Sequence, residues 1–455
     1  MRRAILVSAL VFGLLMPIPY ATAVLPNPWA DRGPLVIAHQ GGSHEGPSNT
    51  LFAFKTAMAG GADVIEMDVQ ATSDRRIVVI HDYTVNRTTG SEGFVRAKTL
   101  DELEALDAAF CWKPGVNSCA PGVPASDYPY RGVATGDKPP PPGFEVNDFR
   151  IPTLDEVLQA MSEFESTNNR RVGLFIEIKY LEPDPNKPQP LSAVADSVPF
   201  EAEVAQLLSQ AGRTADDTIL SSFDDGSNER MRAAASAIGL DLSFATGTGA
   251  TAAFWASSQG PLPGAPDPLY HVLAVPEVFQ GQRVVDEGGD FISDAKANNF
   301  AVHVWTINSE ADMVRLLAME VDGILTDRPS LLREIIHGIE VQVDVRPGAD
   351  RAVIRTSSKT MIPVAVLSTS SFDATRVDPG SICFGDADSP DERDCTEAHG
   401  AGHWADVNED GDIDLLLHYE ASETGIDSGD RSACLHGLTT DGRKIYGCDA
   451  IETRG

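Results

Sequence analysis

Eight runs of β-branched and apolar residues (LVIAH, DVIEMDV, IVVIHD, VGLFIEIK, TILSSF, DLSFAT, AVHVWTI and VDGILTD) lie between residues 35 and 327 and alternate with helix-like segments such as 50–58 and 309–319. Runs this short and this apolar read as strands buried on both faces, the state of strands in a parallel sheet flanked by helices. Eight of them alternating with helices predict a (β/α)8 TIM barrel. The stretch HVLAVPEVF at 271–279 is a ninth candidate that this count leaves unplaced.

Three of the runs carry polar residues at their carboxyl ends: VIAHQGG at 36–42, VIEMDV at 64–69 and VVIHD at 78–82. In a barrel that end is the catalytic face. Side chains alternate along a strand, so Glu66 and Asp68 share a face. With Glu177 from the fourth run they offer three hard oxygen ligands, which suit Ca²⁺ or Mg²⁺ better than zinc. His39 and His81 end the first and third runs, and imidazole titrates near neutrality, so one can take a proton while the other gives one.

These strings, together with Asn49-Thr50 before LFAF, Asn86-Arg87-Thr88-Thr89, FIEIK at 175–179, VHVWTIN at 302–308 and DGILTD at 322–327, resemble the glycerophosphodiester phosphodiesterase family in content and order. The resemblance covers residues 34–337. It implies a metal-dependent enzyme that hydrolyses glycerophosphodiesters to glycerol phosphate and an alcohol. His39 and His81 match the family's catalytic pair, and Glu66, Asp68 and Glu177 its metal ligands. Attack by the substrate's own glycerol hydroxyl, through a cyclic phosphate that water opens, is the implied course. Lys179 falls on the same strand face as Glu177 and is a candidate to neutralise phosphate, and Trp305 resembles the family's contact to glycerol. The family usually has arginine where this chain has Gln40 and glutamate where it has Ser48; Arg131 is a candidate to replace the missing guanidinium on the substrate. The alternatives are an enzyme of the phospholipase D type acting on lysophospholipids, which an apolar cavity mouth would favour, and a barrel that no longer catalyses and serves as a calcium-dependent cell-surface binding protein.

Residues 1–23 read as a secretory signal peptide: Arg2-Arg3, an apolar run from Ala4 to Leu15, and Ala21-Thr22-Ala23 as a small-residue cleavage site. No other stretch approaches the ~18 apolar residues of a membrane span. Export fits six cysteines, enough for three disulfides. Cys111 and Cys119 lie together, and Cys383, Cys395, Cys434 and Cys448 form a second group; pairing inside each group is the economical arrangement, with the connectivity of the last four left open. The net charge of −32 becomes −34 when the two leader arginines are removed. Such a surface repels nucleic acid and anionic lipid, so neither is an expected partner, and the expected chain is monomeric.

About 70 residues separate VVIHD from the next helix signal at Thr153, far more than a connecting loop needs. Residues 110–150 are rich in Pro, Gly and aromatics, and are expected to form a disulfide-stapled cap over the site. The barrel with this insertion spans 24–340. From 341 to 455 strand-like runs replace helical periodicity and 22 acidic residues face 10 basic ones, which predicts a small all-β sandwich domain. Within it DVNEDGDIDL places Asp406, Asn408, Asp410, Asp412 and Asp414 at alternate positions around Gly411, the start of a calcium loop of the EF-hand type. Position 12 of that pattern is Leu417, as in shorter secreted calcium-binding repeats. The tail as a whole resembles β-sandwich modules of exported bacterial proteins, and cell-surface contact is its expected role.

Overall fold

The structure, a computed structural model, describes residues 27–30, 32–120, 122–179, 199–247, 270–279, 281–286, 290–349, 351–356, 358–387 and 394–454. The expected signal peptide at 1–23 lies outside the described residues. Eight parallel strands form one sheet in the order Ser243–Phe244, Thr218–Ser221, Gly173–Ile178, Val64–Ala71, Leu35–Ala38, Gly323–Thr326, Ala301–Trp305 and Val272–Pro276. A parallel bridge between Ala245 and Val272 joins its two ends, giving a (β/α)8 barrel.

The membership of the barrel departs from the sequence reading at one run. IVVIHD supplies the strand Ile77–Val79, which runs antiparallel to Val64–Ala71 and stands off the barrel path. Only residues 72–76 separate the two strands, room for a hairpin but not for the crossover that a parallel neighbour requires. The ninth candidate takes the vacated place, as strand Val272–Pro276 paired with Ala301–Trp305.

Strand residues divide between two apolar layers, as period-two alternation demands. Leu35, Ile37, Val64, Phe175, Ile219, Val272, Ala301 and Leu325 fill the barrel interior with Trp29, whose indole Nε1 donates to the Ala215 carbonyl at 3.0 Å. Val36, Ile65, Met67, Leu174 and Val302 face outward into the helices. Helix starts follow local chemistry. Thr50, Ser309 and Thr153 each accept a backbone N–H at the N-terminus of helices Leu51–Ala59, Glu310–Ala318 and Leu154–Asn168, and Thr153 forms a reciprocal box with Glu156.

The tail folds as two four-stranded sheets facing each other across a core that includes Val364, Leu417, Tyr419, Phe384 and Leu435, and one of the eight strands, Ile339–Glu340, pairs in parallel with Lys444–Ala450, so this unit begins two residues before the expected boundary at 341. All six cysteines pair locally: Cys111 with Cys119, Cys383 with Cys395, and Cys434 with Cys448. The tail rests on the last barrel helix, where Arg333 donates to the Tyr446 hydroxyl at 2.5 Å and Glu334 pairs with Arg443. No helix among the described residues is long and apolar enough to cross a membrane.

Candidate active site

The carboxyl ends of the strands open onto a cavity of ≈ 320 Å³ lined in part by His39, Glu66, His81, Glu177 and Lys179. Glu66 and Asp68 lie on one face of their strand, and the parallel register sets Asp68 directly beside Glu177. Oxygens of the three carboxylates come within 4.8 Å of one another.

His39 is delivered by a one-turn 3₁₀ segment, His39–Gly41, that follows the first strand. The turn hugs the next helices so closely that a Cβ on Gly41 would lie 2.8 Å from the Ala53 side chain, and one on Gly42 2.8 Å from Pro329; both glycines are also left-handed, so side chains are excluded here twice over. The Gln40 backbone N–H donates to Glu66 Oε2 at 2.7 Å. One turn thus positions both the imidazole and a carboxylate.

Each histidine has an aspartate partner that the sequence reading did not single out. His39 Nδ1 bonds Asp327 Oδ1 at 2.6 Å, and Asp327 also accepts from Ser43 at 2.8 Å and Asn308 at 2.7 Å. His81 Nδ1 bonds Asp82 Oδ1 at 2.7 Å, and Arg87 grips the same carboxylate at 2.7 and 3.1 Å. A carboxylate on Nδ1 fixes the ring's orientation and leaves Nε2 for chemistry. Asp327 and Asp82 sit inside quoted strings, DGILTD and VVIHD, but nothing local shows that the first reaches back nearly three hundred residues to His39.

Charge is unevenly balanced. Burial would depress the His39 pKa, but Glu66 and then Asp327 overcome it and raise it to about 9. Burial and the neighbouring Asp68 push Glu66 up to about 8. Burial also raises Glu177. Asp68 moves the other way: although buried, it is lowered by Lys179, His81 and the Asn49 amide, which donates at 2.9 Å. Lys179 lies 2.6 Å from Glu177 and 3.1 Å from Asp68, so it is a counter-ion to the carboxylates as well as a cavity residue. Two buried carboxylates and a partly buried third with one ammonium among them leave unbalanced negative charge, and an all-oxygen donor set fits a hard divalent cation.

Trp305 lines the cavity, edge-on to Phe223 at 5.8 Å between ring centroids. Phe175, Phe223, Ala274 and Leu325 make the rest of that wall apolar, and Phe223 is 53% exposed at the mouth. Two expected substrate contacts are placed elsewhere. The Gln40 side chain is buried and is absent from the lining, so this residue serves the site through its backbone N–H. Arg131 is stacked between Phe110 and Tyr128, 4.0 and 4.1 Å from their ring centres, and donates to the Phe110 carbonyl at 2.7 Å. Aromatic faces and a carbonyl satisfy this guanidinium inside the insertion, away from the cavity.

The insertion braces the segment that follows His39. Among the described residues, none of those lining the cavity comes from 110–150. Its Trp112 indole donates to the Ser43 carbonyl at 2.9 Å, its Asn117 amide bonds the Ser48 hydroxyl, and Gly115 N–H donates to the His44 carbonyl at 3.0 Å. Ser48 therefore ties the insertion to the segment that follows His39.

The sequence model of the glycerophosphoryl diester phosphodiesterase family matches residues 39–331. A glycerophosphodiester phosphodiesterase of Caldanaerobacter subterraneus subsp. tengcongensis is 31% identical over 303 residues, spanning 67% of this chain and 98% of that protein. The chain belongs to this family. A glycerophosphodiester phosphodiesterase of Bacillus subtilis is 25% identical over 338 residues, 74% of this chain and 98% of its own. The glycerophosphoryl diester phosphodiesterase domain of a Mycobacterium tuberculosis protein superposes with a TM-score of 0.47 at 21% identity, covering 67% of this chain and all of that domain. As a family member the protein is a phosphodiesterase. The tail at 341–455 lies beyond the matched segment.

In the Asp406–Asp414 loop the side chains turn onto their own backbone. Asp406 accepts from the Asp410 and Gly411 N–H groups at 3.1 and 3.0 Å, Asn408 from Asp410 at 3.2 Å, and Asp410 from Asp412 at 2.9 Å. Asp414 is fully buried and bonds the Ser368 and Val407 N–H groups at 2.8 and 3.0 Å, which anchors the loop to the neighbouring strand.

Proposed function

We propose that the protein is an exported glycerophosphodiester phosphodiesterase that cleaves a P–O bond at the cavity between His39 and His81. The observation that carries this reading is the pair of imidazoles, each with Nδ1 held by an aspartate, on a cavity that Glu66, Glu177 and Lys179 also line. His39, its Nδ1 held by the Asp327 carboxylate, is suited to protonate the leaving alkoxide, and His81 to accept the proton of the attacking hydroxyl. Glu66, Asp68 and Glu177 would hold a divalent cation, Ca²⁺ or Mg²⁺, which supplies charge stabilisation to the phosphoryl oxygens when bound. Lys179 adds a fixed positive charge, and Trp305 gives a flat apolar surface for the carbon skeleton of glycerol.

The apolar wall of Phe175, Phe223 and Trp305 favours a second reading in which the glycerol side of the substrate carries an acyl chain, as in lysophospholipids. Export by the leader at 1–23 is supported by three disulfides, which persist in oxidising compartments. The acidic repeat at Asp406–Asp414 supports a calcium-binding role for the tail, and an exposed Trp404 beside it supports contact with a cell surface.

Purified protein assayed on glycerophosphocholine, glycerophosphoethanolamine, glycerophosphoglycerol and lysophospholipids, with and without chelator, tests both readings. Turnover of the first three, abolished by chelation and restored by Ca²⁺ or Mg²⁺, is expected. Undiminished turnover in protein stripped of metal would defeat the metal-dependent site. Turnover of lysophospholipids alone would replace the first reading by the second.

A further inference from the structure

The tail holds a second cluster of ligating side chains, far in sequence from every catalytic residue. His399, His403 and His418 each offer a ring nitrogen, and the three nitrogens lie within 4.8 Å of one another. Ring centroids are 4.8 Å apart for His399 with His403, 4.8 Å for His399 with His418, and 5.8 Å for His403 with His418. We propose that these three imidazoles form a binding site for a divalent transition metal of the zinc type.

The local sequence EAHGAGH, residues 397–403, is shaped to bring the rings together. Gly400 and Gly402 are both left-handed, and a Cβ on Gly402 would lie 2.8 Å from the Leu417 side chain and 2.9 Å from the Leu416 carbonyl. Only a glycine lets this turn lie so close to the strand Asp414–Glu420. That strand carries His418, and the edge strand His403–Ala405 pairs with it in register His403 to Leu416. The Ala398 N–H closes the turn on the His418 carbonyl at 3.0 Å.

A buried carboxylate stands behind the rings. Glu397, 8% exposed, accepts backbone N–H groups from His399 at 2.7 Å, Gly402 at 3.2 Å and His418 at 3.0 Å. Its Oε1 is 3.3 Å from His399 Nδ1 and 3.9 Å from His418 Nδ1. A carboxylate behind one ring nitrogen orients the imidazole and makes the other nitrogen a better ligand, the usual outer partner of a metal-bound histidine. His418 Nδ1 is buried and has no hydrogen-bond partner. Three imidazoles without a carboxylate in the inner set select zinc, nickel or copper over calcium and magnesium. The two exposed rings, His399 and His403, leave the solvent side open for water or a further ligand.

Calorimetric titration of chelator-stripped full-length protein with ZnCl₂, in saturating calcium and magnesium, tests the proposal. The expected result is a zinc equivalent that is present in the parent and in Glu177→Gln, and missing in His399→Ala and in His403→Ala. Both substituted rings are exposed, so the variants are expected to keep the parent's circular dichroism, and His403→Gln provides a second, milder version. Zinc binding that all of these variants share with the parent, or a parent that takes up no zinc beyond the equivalent lost in Glu177→Gln, would overturn the site.

Discussion

At the scale of single residues, the site depends on second partners. A lone imidazole in a barrel mouth would rotate and titrate near its ordinary value, whereas His39 is locked and charged by Asp327 and Glu66. His39→Ala and His81→Ala are each expected to lower kcat by at least ~10² with the fold intact, the usual share of a general acid or base. Asp327→Asn keeps the hydrogen-bonding shape but removes the charge that holds the His39 proton. In the parent, a donor role for His39 means that kcat falls as pH rises through a limb at or below about 9, since a cation on Glu66 would weaken that carboxylate's pull. Asp327→Asn should move the limb to lower pH. Rates of His39→Ala near the parent's, or a limb that Asp327→Asn does not move, would remove His39 from the donor role.

At the scale of elements, the strand Ala301–Trp305 combines function and liability. Trp305 at its carboxyl end reaches the cavity, while His303 is fully buried beside Trp29 and Phe175 with both ring nitrogens unpartnered. Burial pushes the His303 pKa down to about 3. The folded ring stays neutral while the unfolded chain protonates near pH ~6.5. Stability is therefore lost progressively as pH falls from that value to about 3. His303→Leu is expected to reduce the drop in Tm between neutral and mildly acidic solution; an unchanged drop would mean that other groups dominate acid unfolding. The insertion is a second such element. Its Cys111–Cys119 bridge closes a short loop, and a crosslink of that size contributes about 2.5 kcal/mol in the chain-entropy picture. Replacing both cysteines by serine should lower Tm and speed amide exchange over 110–150 and 43–49, because Trp112 and Asn117 brace that segment. Exchange confined to 110–150 would show that the insertion does not steady the His39 segment.

At the scale of the whole molecule, the tail meets the barrel at the last helix, and among the described residues none of those lining the cavity comes from the tail. A chain truncated after residue 340 is expected to keep its turnover, measured on the best glycerophosphodiester substrate. Loss of turnover in a folded truncate would give the tail a part in the active site. In the full chain, calcium bound at Asp406–Asp414 should raise the tail's unfolding transition, with roughly 2.7 kcal/mol at a hundredfold excess over Kd. Asp406→Ala combined with Asp410→Ala should erase that rise, and a rise that survives both substitutions would assign the calcium effect to another site.

Local pattern determined much of this protein. Apolar runs with polar carboxyl ends carried the barrel, the spacing of Glu66 and Asp68 carried their shared face, and the threonine and serine caps carried the helix starts, because each depends on neighbours a few residues away. Tertiary structure decided what depends on distant contact. Ile77–Val79 left the barrel and Val272–Pro276 joined it because pairing geometry, not apolar content, admits a strand. Arg131 was withdrawn by two aromatic rings, and Gln40 was reduced to its backbone N–H by a left-handed turn. Asp327 beside His39, and His418 beside His399 and His403, were invisible for the same physical reason: side chains that converge across a sheet leave no periodicity in the sequence, and only the folded register sets the distance between them.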